Sequence, residues 1–388
     1  MDSSLTPEQN DIRAAVAKLC AKYDDDYWLK LDREGGFPEA FAKDVADGGW
    51  LGISLPEEYG GSGLGVVEAA VMMQTIAESG ACFSGASAIH MNIFSPKPIA
   101  MHGTDEQKER MLTPLIGGED RICFGVTEPN AGLDTTKIET RAERSGNQYI
   151  VNGRKIWTSV AQTATKIMLL ARTTPIEKCA KPTDGMSLFY TDFDRDYIEA
   201  QVIDKMGRKA VDSNSVFIDG LPVPSQDLIG DEGKGFRYLL DGLNPERILV
   251  AAEAVGIGRI AIRRAAEYAC ERIVFDRPIG QNQAIQHPLA MSWCELEAAN
   301  LLAFKAAQLY DEGRACGAEA NAAKYLGAES AFRACERAVM THGGMGYAKE
   351  FHVERYLREI FVARIAPVSR EMILNYISER ELGLPKSY

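Results

Sequence analysis

The spacing of apolar and polar residues predicts helices at the start of the chain. Thr6 precedes Pro7, a cap followed by proline at the first helical position. Apolar residues then recur at helical spacing at Ile12, Val16 and Leu19. Residues 69–79 and 105–116 predict further helices, and the glycine-rich stretch 55–65 predicts a loop.

The pattern changes near residue 122 to short β-branched runs separated by turns. Tyr149–Val151 predicts a strand, and the Asn152-Gly153 pair after it is a strong hairpin signal. Further short strands are predicted at 167–171, 186–190 and 216–218. Several short strands in succession are typical of a barrel or a sandwich.

Long helical patterns return after the glycine-rich segment 230–235. They cover residues 251–272, 288–313, 318–342 and 353–362. Their alanine-rich faces indicate close packing between helices. We therefore predict an α+β chain with an N-terminal helical domain at 1–120, a β domain at 121–230 and a C-terminal helical domain at 231–388.

Two glycine motifs have structural interpretations. Gly256-Ile-Gly258-Arg-Ile-Ala261 matches a dinucleotide fingerprint, but no strand precedes it, so we interpret its small residues as helix-packing positions. His342-Gly-Gly-Met-Gly346 resembles an oxyanion loop, yet the chain has no GxSxG elbow, which argues against a hydrolase.

Composition narrows the classes of function. The 388 residues carry a net charge of −12, which argues against a nucleic-acid partner. The eight cysteines form no CxxC pair and indicate buried thiols in a reducing compartment, so we expect a cytoplasmic protein. The five histidines lack metal-ligand spacing, and we expect no metal site. We expect neither a signal peptide nor a membrane span, which needs roughly 20 apolar residues.

Five sequence blocks, in this order and spacing, resemble the acyl-CoA dehydrogenase family over nearly the whole chain. They are Pro56-Glu-Glu-Tyr-Gly-Gly61, Cys123-Phe-Gly-Val-Thr-Glu-Pro-Asn-Ala-Gly-Leu-Asp134, Asn152-Gly-Arg-Lys-Ile-Trp-Thr-Ser159, Arg272-Ile-Val-Phe-Asp-Arg-Pro-Ile-Gly-Gln-Asn-Gln283 and Gly343-Gly-Met-Gly-Tyr347. The resemblance implies a C-terminal four-helix bundle and FAD as cofactor. It also implies a homotetramer that passes electrons to an electron-transfer flavoprotein.

The resemblance assigns cofactor contacts residue by residue. Hydrogen bonds to the flavin ring are expected from Phe124, Val126 and Thr127, stacking from Trp157, and a bond near N5 from Ser159. The remaining cofactor residues implied are Arg272, Phe275, Gln283, Gly343, Gly344, Ser369 and Glu371. Part of this second set is expected to act across a subunit boundary.

The implied reaction is desaturation of an acyl-CoA, in which a carboxylate removes the proton next to the thioester carbonyl and the flavin accepts a hydride. Most of the family carries this glutamate near the C-terminus, where the present chain has Ala366-Pro-Val-Ser369, with Pro367 at the glutamate position. A minority, including isovaleryl-CoA and long-chain dehydrogenases, places it in an earlier Glu-Arg pair, which Glu246-Arg247 matches. Glu246 is therefore the candidate base.

A structural role for Glu246 is also open. Asn244 could cap a helix with Pro245 at its first position, so that Glu246 would favour the positive helix end. The family fold would instead begin this helix near Phe236. Under the catalytic hypothesis Arg247 orients Glu246, and Asn244 and Arg247 contact substrate.

Three residues depart from the family pattern. Pro367 has no N–H where the family uses one to polarise the thioester oxygen. Leu133 replaces a serine that contacts substrate, which suggests a bulkier or more apolar acyl group, and Met340 replaces a glutamine near the pyrophosphate. Two other classes stay open: a flavin monooxygenase or non-redox lyase of the same fold, and a flavin-free acyl-CoA-binding scaffold.

Overall fold

The computed structural model describes residues 5–387 and shows helices, then a sheet, then helices. The N-terminal helices are α1 (Pro7–Cys20), α2 (Asp25–Glu34), α3 (Glu39–Asp47), α4 (Val66–Ile76), α5 (Cys82–Phe94), α6 (Lys97–His102) and α7 (Asp105–Ile116). Thr6 caps α1 in a capping box with Gln9, and Pro7 is its first residue, so the predicted start is confirmed. A π-helical turn at Ala77–Ala81 joins α4 to α5.

The middle of the chain forms one sheet. Its strands are β1 (Ile122–Gly125), β2 (Arg141–Ser145), β3 (Gln148–Ser159), β4 (Lys166–Arg172), β5 (Met186–Asp192), β6 (Ile198–Val202), β7 (Ser213–Pro224) and β8 (Leu228–Ile229). They pair in the order β6-β7-β3-β2-β4-β5-β8, with β1 parallel to β4, and the end strands β6 and β8 do not pair with each other.

The predicted hairpin at Asn152-Gly153 is wrong. β3 continues through these residues with a bulge between Val151 and Gly153, and the turn lies earlier, at Gly146, where β2 meets β3. A Cβ at Gly153 would lie 2.3 Å from Thr140 Oγ1, so this glycine permits close approach between segments.

Five helices form the C-terminal region: α8 (Gly235–Glu271), α9 (Gln283–Asp311), α10 (Gly317–His342), α11 (Val353–Ile365) and α12 (Arg370–Arg380). A two-stranded ribbon, β9 (Ile273–Val274) with β10 (Arg277–Pro278), connects α8 to α9. No helix among residues 5–387 is long and apolar enough to cross a membrane. All eight cysteines are free, and five are buried, whereas Cys270 and Cys294 are exposed, contrary to the expectation of buried thiols.

The fingerprint-like glycines are packing positions inside α8, as predicted. A Cβ at Gly256 would meet Gln74 O at 2.5 Å, and one at Gly258 would meet Leu296 Cδ2 at 2.5 Å. These glycines let α4 and α9 approach α8 closely.

We predict that Gly256→Ala lowers the free energy of unfolding by about 1–3 kcal/mol, because the new methyl group overlaps a backbone carbonyl that cannot rotate away. The matched control in the same helix is Gly242→Ala, whose Cβ would meet its nearest atom at 3.8 Å. That substitution should be neutral or stabilise by up to about 1 kcal/mol. Thermal unfolding of both variants measures the difference, and equal midpoints would contradict the packing role.

Candidate active site

Glu246 lies inside α8, about three turns beyond the start of the helix at Gly235. Pro245 is therefore an interior proline, and Asn244 does not cap the helix. Because the helix dipole acts mainly on the first turn, it does not explain this glutamate. The residue is only 8% exposed, and its carboxylate has no hydrogen-bond partner among residues 5–387.

Burial raises the pKa of Glu246 to about 7. His90, Arg247 and Lys324 act in the opposite direction, and Glu253 adds to the rise. Desolvation outweighs the three positive neighbours because no cation contacts the carboxylate directly. A carboxyl group that ionises near neutral pH can hold or release a proton under ordinary conditions, as a general base must.

Arg247 and Asn244 are adjacent to each other in the folded chain. Arg247 Nη1 donates to Asn244 Oδ1 at 2.9 Å, one helical turn away. This bond, rather than a bond to Glu246, holds the guanidinium, while Arg247 Nε is buried without a partner in the described chain. A buried donor without a partner is uncommon in folded proteins.

The segment around Pro367 is tied to the region of Glu246 by Lys324 of α10. Lys324 Nζ donates to Val368 O at 2.6 Å, and its charge acts on Glu246. Burial lowers the pKa of Lys324 to about 8, against the raising effect of Glu246. Lys324 thus places the loop that replaces the usual glutamate motif beside the candidate base.

Ser369 and Glu371 follow this loop at the start of α12. The Ser369 side chain accepts from Met372 N at 3.3 Å as the N-cap. The Glu371 carboxylate is exposed and lies 3.0 Å from Arg370 Nε. Both have structural partners, and their assignment to the cofactor stays a prediction.

Trp157 presents its ring outward from the sheet. Its φ is 61°, a left-handed conformation that is uncommon for a large side chain. It lies within the irregular register between Lys155 and Thr158, where β3 departs from β7. The ring is 56% exposed, so a buried tryptophan of the β core does not describe it. Such an aromatic face is available for stacking.

The other ring contacts predicted from sequence lie on neighbouring segments. Thr127 O accepts from Ile156 N at 2.9 Å, which places Thr127 beside Trp157. The Thr127 hydroxyl makes no hydrogen bond to another described residue. Lys155 Nζ donates to Val126 O at 3.1 Å and to Glu128 Oε1 at 2.8 Å, and this buried ion pair fixes the loop after β1. Phe124 stacks edge-on against Phe94 of α5.

The second set of cofactor residues lies at the far end of α8. Arg272 ends α8 and Phe275 follows in the ribbon, with Gln283 exposed at the start of α9. Gly343 and Gly344 lie near them, because His342 stacks on Tyr268 at 4.4 Å.

Most of the length of α8 lies between Glu246 and this second set of cofactor residues. Glu246 and Arg272 are 26 positions apart in the numbering, which at 1.5 Å per residue is about 39 Å. Arg272 and its neighbours therefore form a surface separate from the surroundings of Glu246.

The surfaces fit a flavin dinucleotide in their chemistry. The first offers an exposed aromatic face and an unused hydroxyl at Trp157 and Thr127. At the second, a Cβ on Gly343 or Gly344 would meet nothing within 4 Å, so a ligand can approach this backbone closely, and the Gly343 N–H itself donates to Met340 O and Val339 O. Phe275, 93% exposed, is an apolar side chain without cover.

Several charged residues near Glu246 were missed by sequence reasoning. His90 of α5 and Glu253 of α8 are buried, 2.7 Å apart. Burial tends to lower the pKa of His90, but Glu253 outweighs it and the net pKa is raised. Arg208, in the loop between β6 and β7, lies where the sheet meets α5, because it bonds both Ser87 and Ser159. The spacing of Ser84, Ser87 and His90 along an otherwise apolar helix was the available signal. Leu133, by contrast, is 60% exposed in the loop before β2.

Because the pKa of Glu246 is raised, native protein keeps a proton that the unfolded chain loses between about pH 4.5 and 7. Its contribution to stability therefore falls as pH rises through this window. We predict that Glu246→Gln is increasingly more stable than the unmodified chain over the same window, by up to about 3 kcal/mol above pH 7. Melting temperatures at pH 5 and 8, at one fixed protein and FAD concentration, measure this.

The exposed Glu177→Gln is the control for the general effect of losing a carboxyl group. A difference between Glu246→Gln and the unmodified chain that is the same at pH 5 and pH 8 would show that Glu246 does not hold its proton as described.

Comparison with known proteins accounts for nearly all of the chain. Sequence models of the acyl-CoA dehydrogenase N-terminal, middle and C-terminal domains match residues 6–119, 123–221 and 233–382. The chain is 38% identical over 395 residues to acyl-CoA dehydrogenase FadE12 of Mycobacterium tuberculosis, covering 98% of this chain and 97% of that protein.

Two further relatives differ in kind. The caffeyl-CoA reductase-Etf complex subunit CarC of Acetobacterium woodii is 32% identical over 340 residues, covering 87% of this chain and 88% of that one. The structure of butyryl-CoA dehydrogenase from Megasphaera elsdenii superimposes with a TM-score of 0.93 at 29% identity, covering 98% and 100% of the two chains. The chain belongs to the FAD-dependent acyl-CoA dehydrogenase family and is an oxidoreductase acting on acyl-CoA.

Proposed function

We propose that this enzyme desaturates a fatty or branched acyl-CoA thioester between its α and β carbons, with Glu246 as the base. The observation that carries the proposal is the state of Glu246: a buried carboxyl group with a pKa near 7 and no partner within the described chain. A carboxylate needed only for folding is normally bonded to a donor. A free one beside a substrate can take up a proton.

The chain's own residues supply position and proton transfer. Glu246 accepts the proton from the carbon next to the thioester carbonyl, and Arg247 and Asn244 bind the substrate beside it. Lys324 holds the loop at Val368 near this carbon. FAD, when bound, supplies the acceptor for the hydride from the neighbouring carbon.

The cofactor is proposed to bind between two subunits of a homotetramer. The ring set at Trp157 and Thr127 belongs to one chain, and the set at Arg272 and Phe275 serves the cofactor of a second chain. The separation of about 39 Å along α8 between Glu246 and Arg272 supports this arrangement, because the flavin ring is expected beside Glu246. Large apolar side chains that are exposed in the single chain are also expected where subunits meet. They are Phe275, Met291, Trp293, Leu301, Met340 and Tyr347.

Electrons are proposed to pass to an electron-transfer flavoprotein. The support is the relative CarC, whose name places it in a complex with Etf. That relative is also a reductase, and it favours a second candidate function, reduction of an α,β-unsaturated acyl-CoA by the same groups in reverse. Eight free cysteines support the proposed cytoplasmic location.

We predict that Glu246→Gln lowers the rate of flavin reduction by an acyl-CoA substrate about 10²–10⁴-fold, because the amide cannot accept the proton. In the unmodified enzyme the same rate should rise with pH and level off above about pH 7. Anaerobic mixing of the FAD-loaded enzyme with a panel of acyl-CoA thioesters, followed by flavin bleaching, measures both effects.

Near-normal bleaching by Glu246→Gln would remove Glu246 from the role of base. Turnover that depends on oxygen would indicate a monooxygenase, and turnover without bleaching would indicate a non-redox lyase. A purified protein without flavin absorbance would indicate the acyl-CoA-binding scaffold.

For the subunit arrangement we predict that Phe275→Asp weakens FAD retention and converts the protein to species smaller than about four times the 42.5 kDa chain. A charge at an apolar contact between subunits is unfavourable because it loses water without gaining a partner. Light scattering and flavin content measure the two effects. Ile176→Asp, at another exposed apolar position, is the control and should change neither. A variant of Phe275 that keeps its FAD and its size would contradict the arrangement.

A further inference from the structure

Arg208 joins three segments at the junction between the sheet and the N-terminal helices. Its Nη1 donates to Ser87 Oγ of α5 at 3.1 Å, and its Nη2 donates to Ser159 Oγ of β3 at 3.1 Å and Ser213 Oγ of β7 at 3.2 Å. Its backbone has a φ of 58°, a conformation that costs free energy for a residue with a side chain. The loop is thus held in an uncommon shape that places a guanidinium against Ser159.

The charge of Arg208 is not neutralised by contact. Three other arginines with limited exposure each lie within 3.3 Å of a carboxylate: Arg264 with Asp25, Arg355 with Glu359, and Arg358 with Asp32. Arg172, 6% exposed, shares with Arg208 the lack of an ion pair in the described chain, but its partners are four backbone carbonyl oxygens. Within residues 5–387, Arg208 has hydroxyl partners and no ion pair. Burial lowers its pKa, and Glu359, Asp212 and Glu253 oppose this from beyond contact distance. A half-buried cation without an ion pair favours any negative charge that develops nearby.

The direction of the hydrogen bond fixes the Ser159 hydroxyl. A guanidinium donates and cannot accept, so Ser159 Oγ is the acceptor toward Arg208. The single hydrogen of that hydroxyl is then left for a different acceptor, and no described residue provides one. This inference rests on the proposed function and on the position of Ser159 near flavin N5 that the family resemblance implies. In oxidised FAD, N5 is a hydrogen-bond acceptor.

We propose that Arg208 is a positioning residue for the redox step: it turns the Ser159 hydroxyl toward N5 of bound FAD and raises the reduction potential of the flavin. In the step it assists, the β C–H bond breaks and its electron pair and hydrogen pass to N5. The α C–H bond breaks, its proton passes to Glu246, and its electrons form the α,β double bond. FAD is reduced and the acyl group is oxidised, so atoms and electrons balance. The guanidinium stabilises the negative charge that the hydride brings.

The test uses FAD-loaded protein without substrate, so that it is independent of the acyl group. Flavin and a reference dye are reduced together, and the ratio of reduced to oxidised flavin is read at equilibrium. Arg208→Met, of similar length without charge, should lower this ratio about tenfold or more at a fixed dye ratio. Arg208→Lys, which keeps the charge, should recover a large part of it.

A double-mutant cycle with Ser159→Ala tests the route of the effect. If Arg208 acts through Ser159, Arg208→Met should change the ratio much less in the Ser159→Ala background. An unchanged ratio in Arg208→Met, with its flavin spectrum and melting temperature intact, would overturn the inference. So would a full-sized effect in the Ser159→Ala background.

The competing hypothesis is that the Arg208 guanidinium binds an anionic group of the substrate, and this hypothesis predicts a different result. Arg208→Met would then raise KM only for acyl-CoAs that carry a carboxylate on the acyl chain and leave the flavin ratio unchanged, which overturns the inference. Failure of the proposed function is distinguishable, because it appears in the unmodified protein as absent flavin or absent bleaching by acyl-CoA.

Discussion

The chemistry of this site depends on the free-energy cost of burying the Glu246 carboxylate away from water. Glu246 is buried about three turns inside a helix, where neither the helix terminus nor a direct cation partner stabilises its charged form. The positive groups around it act only from a distance, so burial sets the direction of its pKa shift. A closer ion pair would have produced an ordinary, permanently ionised glutamate. Because its positive neighbours are not in contact with it, Glu246 can take up and release a proton near neutral pH.

The length of helix α8 determines how far apart the candidate base and the second set of cofactor residues lie. It carries Glu246 near one end, the packing glycines Gly256 and Gly258 in its middle, and Arg272 at its other end. Close approach of α4 and α9 at those glycines fixes the helix against its neighbours. A rigid rod of this length keeps Glu246 and Arg272 apart, and this separation is one support for the proposal that two chains share each cofactor site.

Local patterns predicted the parts of the fold that local energetics decide. The start of α1 follows from Thr6 and Pro7, and the bounds 105–116 of α7 were predicted to the residue, because capping and periodicity suffice there. The hairpin prediction at Asn152-Gly153 was wrong because the pairing of β3 with both β2 and β7 outweighed the turn preference of this dipeptide. Gly153 instead allows close contact with Thr140. Arg208 was not found at all. It lies in a loop without periodicity, and two of its three serine partners, Ser87 and Ser159, are distant in sequence.

The polar face of α5 explains how charge is distributed around the base. Ser84 bonds Glu359, which Arg355 neutralises, and His90 bonds Glu253. These carboxylates are thus occupied by partners of their own. Arg208, Lys324 and Arg247 are cations of this region whose hydrogen bonds within residues 5–387 go only to uncharged oxygens. In the proposed reaction, negative charge develops on the thioester and then on the cofactor. Glu253 and Glu359 have partners of their own, whereas these cations have no carboxylate in contact within the part of the chain that the structure describes. Such a region is electrostatically suited to that charge before any substrate arrives, which is the condition for preorganised stabilisation of a transition state.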